Sequence, residues 1–267
     1  MRTTVIGAAG RMGRILVTLI QADEALQLAG AVEYAGSPFL GQDAGVVAGL
    51  APAGVPIVSS LADVLPQTDA VIDFSTPEST LAAAPQVVAA GASMVIGSTP
   101  LKAEHRAALK ALSEHGGRLM AAPNMSVGVN LLFALCAKVA PILGEDFDIE
   151  VVEMHHNRKK DAPSGTAVRL GEILAEASGR DYERDAVHGR HGLVGARTRR
   201  EIGMHALRGG DVVGDHTVIF AADGERVELT HKASSRETFA KGALRAVKFL
   251  ATARAGLYDM QDVLGLR

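Results

Sequence analysis

Residues 5–14 read VIGAAGRMGR, with Gly7, Gly10 and Gly13 standing between an apolar run and a stretch of helical periodicity. Beyond the turn, Met12, Ile15, Leu16, Leu19 and Ile20 recur at i, i+3, i+4, i+7 and i+8, the spacing of one apolar helix face. A strand feeding a glycine turn that opens a helix is the setting of a dinucleotide-binding fingerprint. The glycines permit a tight turn and close backbone approach, and the helix N-terminus seats phosphate. The spacing is G-x-x-G-x-x-G instead of the commoner G-x-G-x-x-G, and a plain strand-to-helix connection is the competing reading. Glu33 favours the nucleotide. It follows the run LAGAV (28–32), 33 − 13 = 20 residues past Gly13, where a carboxylate accepts from ribose hydroxyls. The candidate contacts are Gly7, Ala8, Ala9, Gly10, Arg11, Met12 and Glu33. A free ribose suits NADH, whereas Glu33 repels a 2′-phosphate unless a cation such as Arg11 sits alongside.

Outward from this turn, short β-branched runs at 3–6, 28–32, 55–58, 70–74, 93–97 and 118–122 alternate with helical patterns near 78–90 and 103–115. Such alternation, with strands apolar on both faces, is expected of an α/β fold, a Rossmann-type parallel sheet wrapped by helices. Two Ser-Thr-Pro turns, Phe74–Pro77 and Gly97–Pro100, fall where an open parallel sheet places its ligand. Both also read as helix starts, a hydroxyl N-cap followed by proline.

After Pro123 the texture changes. A helix is expected over 129–143, a strand over DIEVVEM (148–154), a helix after Pro163, and strands at 216–220 and 226–232. This is the pattern of a second, α+β domain carrying an open mixed sheet, placed at 124–237. The Gly/Arg-rich segment 188–210 reads as a mobile loop between short strands. Phe239, Leu244, Val247 and Leu250 lie on a last helix near 238–255 that packs back on the first domain, so that domain takes residues 1–123 and 238–267.

Lys and Arg number 27 against 30 Asp and Glu, a formal charge of −3, so no net field draws the chain to nucleic acid or anionic membranes. The single cysteine, Cys136, cannot form an intrachain disulfide and reads as a buried spectator. No secretory pattern opens the chain and no uninterrupted apolar run reaches membrane-spanning length, so a soluble cytoplasmic protein is expected.

A second motif, EMHHNRKKDAPSGTA, spans Glu153–Ala167. The strand end delivers His155 and His156 to a loop, and adjacent residues on an extended chain face opposite ways, so one imidazole enters a cleft. Leu170, Ile173, Leu174 and Ala177 mark the helix that follows, with Ser164, Gly165 and Thr166 in its first turn as a carboxylate seat. A solvated basic loop before a capped helix is the competing reading. Metal binding by His155, His156, His188 and His191 is disfavoured by Arg158, Lys159 and Lys160 beside them, and no metal is expected.

VIGAAGRMGR, IGSTP, AAPNMSVGVN, EVVEMHHNRKKDAPSGTA and THKASSR occur in that order and resemble the dihydrodipicolinate reductase family. The likeness runs from residue 5 to Arg236, and E-x-HH-x-x-K-x-DAPSGTA is its specific part. The resemblance implies an enzyme of lysine and diaminopimelate biosynthesis that reduces a small cyclic dicarboxylate with NADH or NADPH. It also implies His155 and Lys159 as acid/base groups, with His156, Gly165 and Thr166 as substrate contacts. Further nucleotide contacts would come from Gly97, Ser98 and Thr99 and from Ala122, Pro123, Asn124 and Met125, and the assembly would be a homotetramer. Tyr34 stands where many relatives carry an arginine that favours NADPH, so both cofactors stay open. In this reading Ser164–Thr166 anchors one carboxylate, Arg236 meets the other, and the domains close about hinges near 123–129 and 234–238. The rivals are another two-domain dehydrogenase, for which HH-x-x-K and PSGTA have no task, and a nonenzymatic dinucleotide sensor.

Overall fold

The computed structural model describes residues 1–267. In chain order the elements are β1 (Arg2–Ile6), α1 (Arg11–Gln21), β2 (Gln27–Val32), α2 (Ala44–Val47), β3 (Ile57–Val58), β4 (Ala70–Asp73), α3 (Pro77–Ala89), β5 (Ser93–Ile96), α4 (Ala103–Glu114) and β6 (Arg118–Ala121). Then come α5 (Val127–Leu143), β7 (Asp148–His155), α6 (Gly165–Ala177), α7 (Tyr182–Asp185), β8 (Ala186–His188), β9 (Ile202–Arg208), β10 (Gly214–Ala222) and β11 (Glu225–Ala233). Last are α8 (Glu237–Leu250), β12 (Gly256–Tyr258) and α9 (Met260–Leu264). They form two compact units, Met1–Val127 with Glu237–Arg267, and Gly128–Arg236.

The first unit is a seven-stranded sheet of order β12-β6-β5-β4-β1-β2-β3 with every pairing parallel. All four residues of β4 and of β5 are buried, as strands covered on both faces must be. The chain leaves β1 toward β2 on one side and resumes at β4 on the other, so a crevice opens past the ends of β1 and β4, the usual ligand position. On α1 the buried residues are Gly13, Leu16, Val17 and Ile20. Met12, Ile15 and Leu19 flank this stripe half-buried, so the helix is rotated slightly from the apolar spacing because Gly13 must face the turn. Leu244, Val247 and Leu250 of α8 join the same core, each contributing about 1.5–3 kcal/mol by burial. The short β12 and α9, which weak patterning hid, complete this unit's far edge.

The second unit is a five-stranded mixed sheet of order β11-β10-β7-β9-β8. β7 alternates half-exposed and buried residues along its length, so Ile149, Val151, Glu153 and His155 share one inner face. Val129, Leu132, Phe133 and Cys136 of α5 and Leu170 and Leu174 of α6 pack on that side. Burial pushes the Cys136 thiol up to about 12, so it stays protonated.

Two expectations fail here. The segment 188–210 is not one loop: β9 occupies 202–208 and pairs in parallel with both β7 and β8. IGMHALR has a single β-branched residue, and its strand state comes from neighbours on both sides. The helical run Val127–Asp146, with mean hydropathy 1.8, is long and apolar enough to cross a membrane, contrary to the reading that no segment is. Its inner face is nevertheless part of this unit's core.

Candidate active site

At the crevice of the first unit, Gly7 has φ +72°, which favours glycine, and its N–H and that of Ala8 donate to Val32 O at 2.9 and 3.2 Å. Gly10 N–H donates back to Gly7 O at 3.0 Å. A Cβ on Gly13 would stand 2.1 Å from Gly7 O, so the third glycine lets the helix meet the turn. Glu33 is tied to this turn directly, its Oε1 accepting from Ala9 N–H at 2.9 Å. A cavity of about 620 Å³ lies alongside, lined by Gly7, Glu33, Tyr34, Ser60, Ser75 and Thr76 among others. A bare-backbone turn at a helix start, a carboxylate and an adjacent cavity fit a dinucleotide. Arg11 is exposed. Arg14, which motif reading passed over, is the anchored cation: its Nε donates to Ala9 O at 2.8 Å and it stacks on Phe39 at 5.1 Å.

The two Ser-Thr-Pro turns differ. Thr76 caps α3, accepting from Ser79 N–H at 3.2 Å, with Pro77 in the first turn. α4 instead starts at Ala103 behind Lys102, so Gly97–Pro100 is not a helix cap. Ser98 points inward: its hydroxyl meets Thr80 Oγ1 at 2.6 Å, and Thr80 donates to the buried Asp73 at 2.6 Å. Burial pushes the Asp73 carboxyl up, against the bonds from Ser75 and Thr80. This network, unread from sequence, links the ends of β4 and β5. Gly97 is required by Phe74, whose ring would be 2.4 Å from a Cβ. Past β6, Ala122 and Met125 are buried, Pro123 is exposed, and Asn124 Oδ1 accepts from Ser126 N–H at 2.8 Å.

In the second unit a polar row crosses the sheet: His231 on β11, His216 on β10 and Glu153 on β7 are in register. One step along, His155 and Arg208 are in register, and a Cβ on Gly214 would stand 3.0 Å from His155 Nε2. Glu153, 1% exposed, accepts from His155 Nδ1 at 2.6 Å, from Ser164 N–H at 3.0 Å and from both Arg208 nitrogens at 2.8 and 2.9 Å. Burial pushes its carboxyl up, but these donors outweigh it and hold it below the usual range. Ser164 is the N-cap of α6, accepting from Ala167 N–H at 3.2 Å, and its hydroxyl meets His216 Nε2 at 3.1 Å. Burial, then the neighbouring His155, pushes His216 down to about 4. The Ser164 hydroxyl is thus engaged by the cap and by His216, while exposed Gly165 and half-buried Thr166 stand in the first turn.

His155 is buried with its ring edge-on to His216 at 5.2 Å, and His156 is half-exposed. Burial and the cations Arg158 and Arg236 push His156 down. Lys159 pairs with Asp161 at 2.9 Å. His155, His156, Lys159, Arg236 and the start of α6 therefore belong to one unit, the first four clustered by geometry or charge. No three His, Cys, Asp or Glu side chains converge as a metal requires.

Two family models match in series: dihydrodipicolinate reductase, N-terminus, over residues 1–125, and dihydrodipicolinate reductase, C-terminus, over residues 128–264. The chain belongs to the dihydrodipicolinate reductase family. Relatives named 4-hydroxy-tetrahydrodipicolinate reductase from Syntrophotalea carbinolica and Methylococcus capsulatus are 54% and 51% identical, over 100% of this chain and 100% and 99% of theirs. The solved structure of dipicolinate-bound dihydrodipicolinate reductase from Paenisporosarcina sp. TG-14 aligns at TM-score 0.78 and 22% identity, covering 98% of each chain, a likeness of fold. Dihydrodipicolinate reductase family members are NAD(P)H-dependent oxidoreductases whose N-terminal domain binds the nucleotide. The glycine turn and Glu33 lie in that part of this chain.

Proposed function

We propose that this protein reduces 4-hydroxy-tetrahydrodipicolinate to tetrahydrodipicolinate with NAD(P)H, a step of lysine and diaminopimelate biosynthesis. The observation that carries the reading is full-length identity above half to a reductase of that name, with the His-His-Lys loop and the Ser-Gly-Thr turn intact. Gly7 to Met12 with Glu33 would hold the nucleotide, joined by backbone at Gly97–Thr99 and Ala122–Met125. When bound, NAD(P)H supplies the hydride.

His155 and Lys159 act as acid/base groups. Hydride addition leaves negative charge developing on the substrate toward its ring nitrogen, and a cationic donor must neutralise it. The N–H groups at the start of α6, with Gly165 and Thr166, seat one carboxylate, and Arg236 with His156 meets the other. From the inner face Glu153 holds His155 and the Ser164 N–H, while Glu150, Val152 and Met154 on the other face of β7 are half-exposed and suit self-association, as a homotetramer. A cytoplasmic location fits a small-molecule reductase whose most apolar helix, α5, is a core element.

The test is steady-state oxidation of NADH and NADPH by freshly generated substrate, with Lys159→Ala as the control. Substrate-dependent oxidation that falls by about 10² or more in the variant is expected. Cofactor binding without turnover in the native protein would select the sensor reading instead.

A further inference from the structure

In the proposed reaction His155 is a proton donor, and the buried group against it is Glu153. Glu153 lies two residues earlier on β7 and so on the same face of the sheet. A carboxylate has about four acceptor positions, and here all are filled: His155 Nδ1 and Arg208 Nη1 on Oε2, Ser164 N–H and Arg208 Nη2 on Oε1. The guanidinium and the amide can only donate. With no proton of its own to offer, the carboxylate obliges the imidazole to donate as well. Nδ1 then carries the ring's N–H, and Nε2 carries the lone pair in the neutral form and the second proton in the cation.

His155 Nε2 has no hydrogen-bond partner within the chain. Its neighbour on β10 is Gly214, where a Cβ would stand 3.0 Å from it. The residue opposite the reactive edge is therefore the one that adds no side chain.

We infer that Glu153 is the positioning residue of the proton donor. It fixes His155 as the Nδ1–H tautomer, presents Nε2 alone to the substrate, and stabilises the imidazolium until it gives up its proton. Arg208 holds the carboxylate in register. The proton leaves Nε2 for the substrate atom made negative by hydride addition, the N–H bond breaking as the new bond to hydrogen forms, and the ring is left as a neutral Nδ1–H imidazole. A purely structural Arg208–Glu153 pair would not require the 2.6 Å contact to His155. The inference rests on the assignment of His155 above.

The experiment is ¹⁵N–¹H multiple-bond correlation NMR on the full chain labelled at histidine, with steady-state kinetics, for the native protein, Glu153→Gln and His155→Ala. The last variant assigns the His155 signals. The native ring is expected as Nδ1–H. In Glu153→Gln, whose amide can donate, the signals move toward the Nε2–H tautomer and kcat falls roughly 10²-fold, with KM and NADH affinity within about threefold of native. A native ring in the Nε2–H form overturns the inference even if the variant does not fold. So does unchanged kcat or an unchanged tautomer in Glu153→Gln. Native turnover by His155→Ala overturns the assignment of His155 itself, and the NMR result then still separates that failure from a failure of the Glu153 contact.

Discussion

Arg208 and Glu153 meet as a bidentate pair, Nη1 to Oε2 at 2.8 Å and Nη2 to Oε1 at 2.9 Å, although 55 residues separate them in the chain. The carboxylate is sealed from water while the guanidinium is partly exposed, so the two ends of the pair differ in what their loss does. Removing Arg208 leaves a buried charge with two fewer donors. Arg208→Ala is expected to lower unfolding free energy by about 3 kcal/mol, read from urea titrations, and the double variant with Glu153→Gln to recover part of it. Equal stability of the single variant and the native protein would show that the pair is not a stabilising one.

Acid should weaken the second unit in two stages. A histidine in an unfolded chain takes up its proton near 6.5, but buried His216 does so only near 4. The unfolded chain therefore binds more protons between these values, and stability falls as pH drops from about 6.5 to about 4. For Glu150, burial pushes the carboxyl up, yet bonds from Arg190, His205 and Arg197 hold it at about 2. Its stabilising contribution is complete above about 4.5 and is lost toward pH 2. Urea midpoints measured against pH should show both falls, and His216→Gln should reduce the upper one, to which His156 and His231, also pushed down, contribute in the same sense.

Gly13→Ala tests the turn. The added methyl would lie 2.1 Å from Gly7 O and 2.6 Å from Ala8 O, both backbone atoms that cannot swing away. A cost of about 1–3 kcal/mol is expected, with NADH affinity reduced about tenfold or more as the turn is displaced. Calorimetric binding as tight as native would mean that the turn does not hold the nucleotide.

The residue after Glu33 offers a test of cofactor choice. Tyr34 is 67% exposed beside the cavity and brings no charge. If Glu33 holds the ribose as proposed, Tyr34→Arg would place a cation beside the 2′ position, and the ratio of kcat/KM for NADPH over NADH should rise about tenfold, the effect of about 1.4 kcal/mol. An unchanged ratio would place the 2′ position elsewhere.

Sequence by itself determined the elements whose signals are local. Gly7, Gly10 and Gly13 state a backbone geometry, β4 and β5 state burial on both faces, and the stripe on α6 together with Ser164 states where that helix begins. The alternation Ile149, Val151, Glu153, His155 even marked Glu153 as inward-facing, a polar residue in buried phase, though the reading of the motif did not use it. Tertiary structure alone decided what stands beside what. β9 has a weak intrinsic preference and becomes a strand because β7 and β8 offer it hydrogen bonds on both edges. That insertion brings Arg208 to Glu153, and the antiparallel return of β10 brings Gly214 and His216 to His155. Period and turn chemistry are properties of neighbouring residues, whereas strand order and register arise from pairings across the chain, which no local pattern encodes.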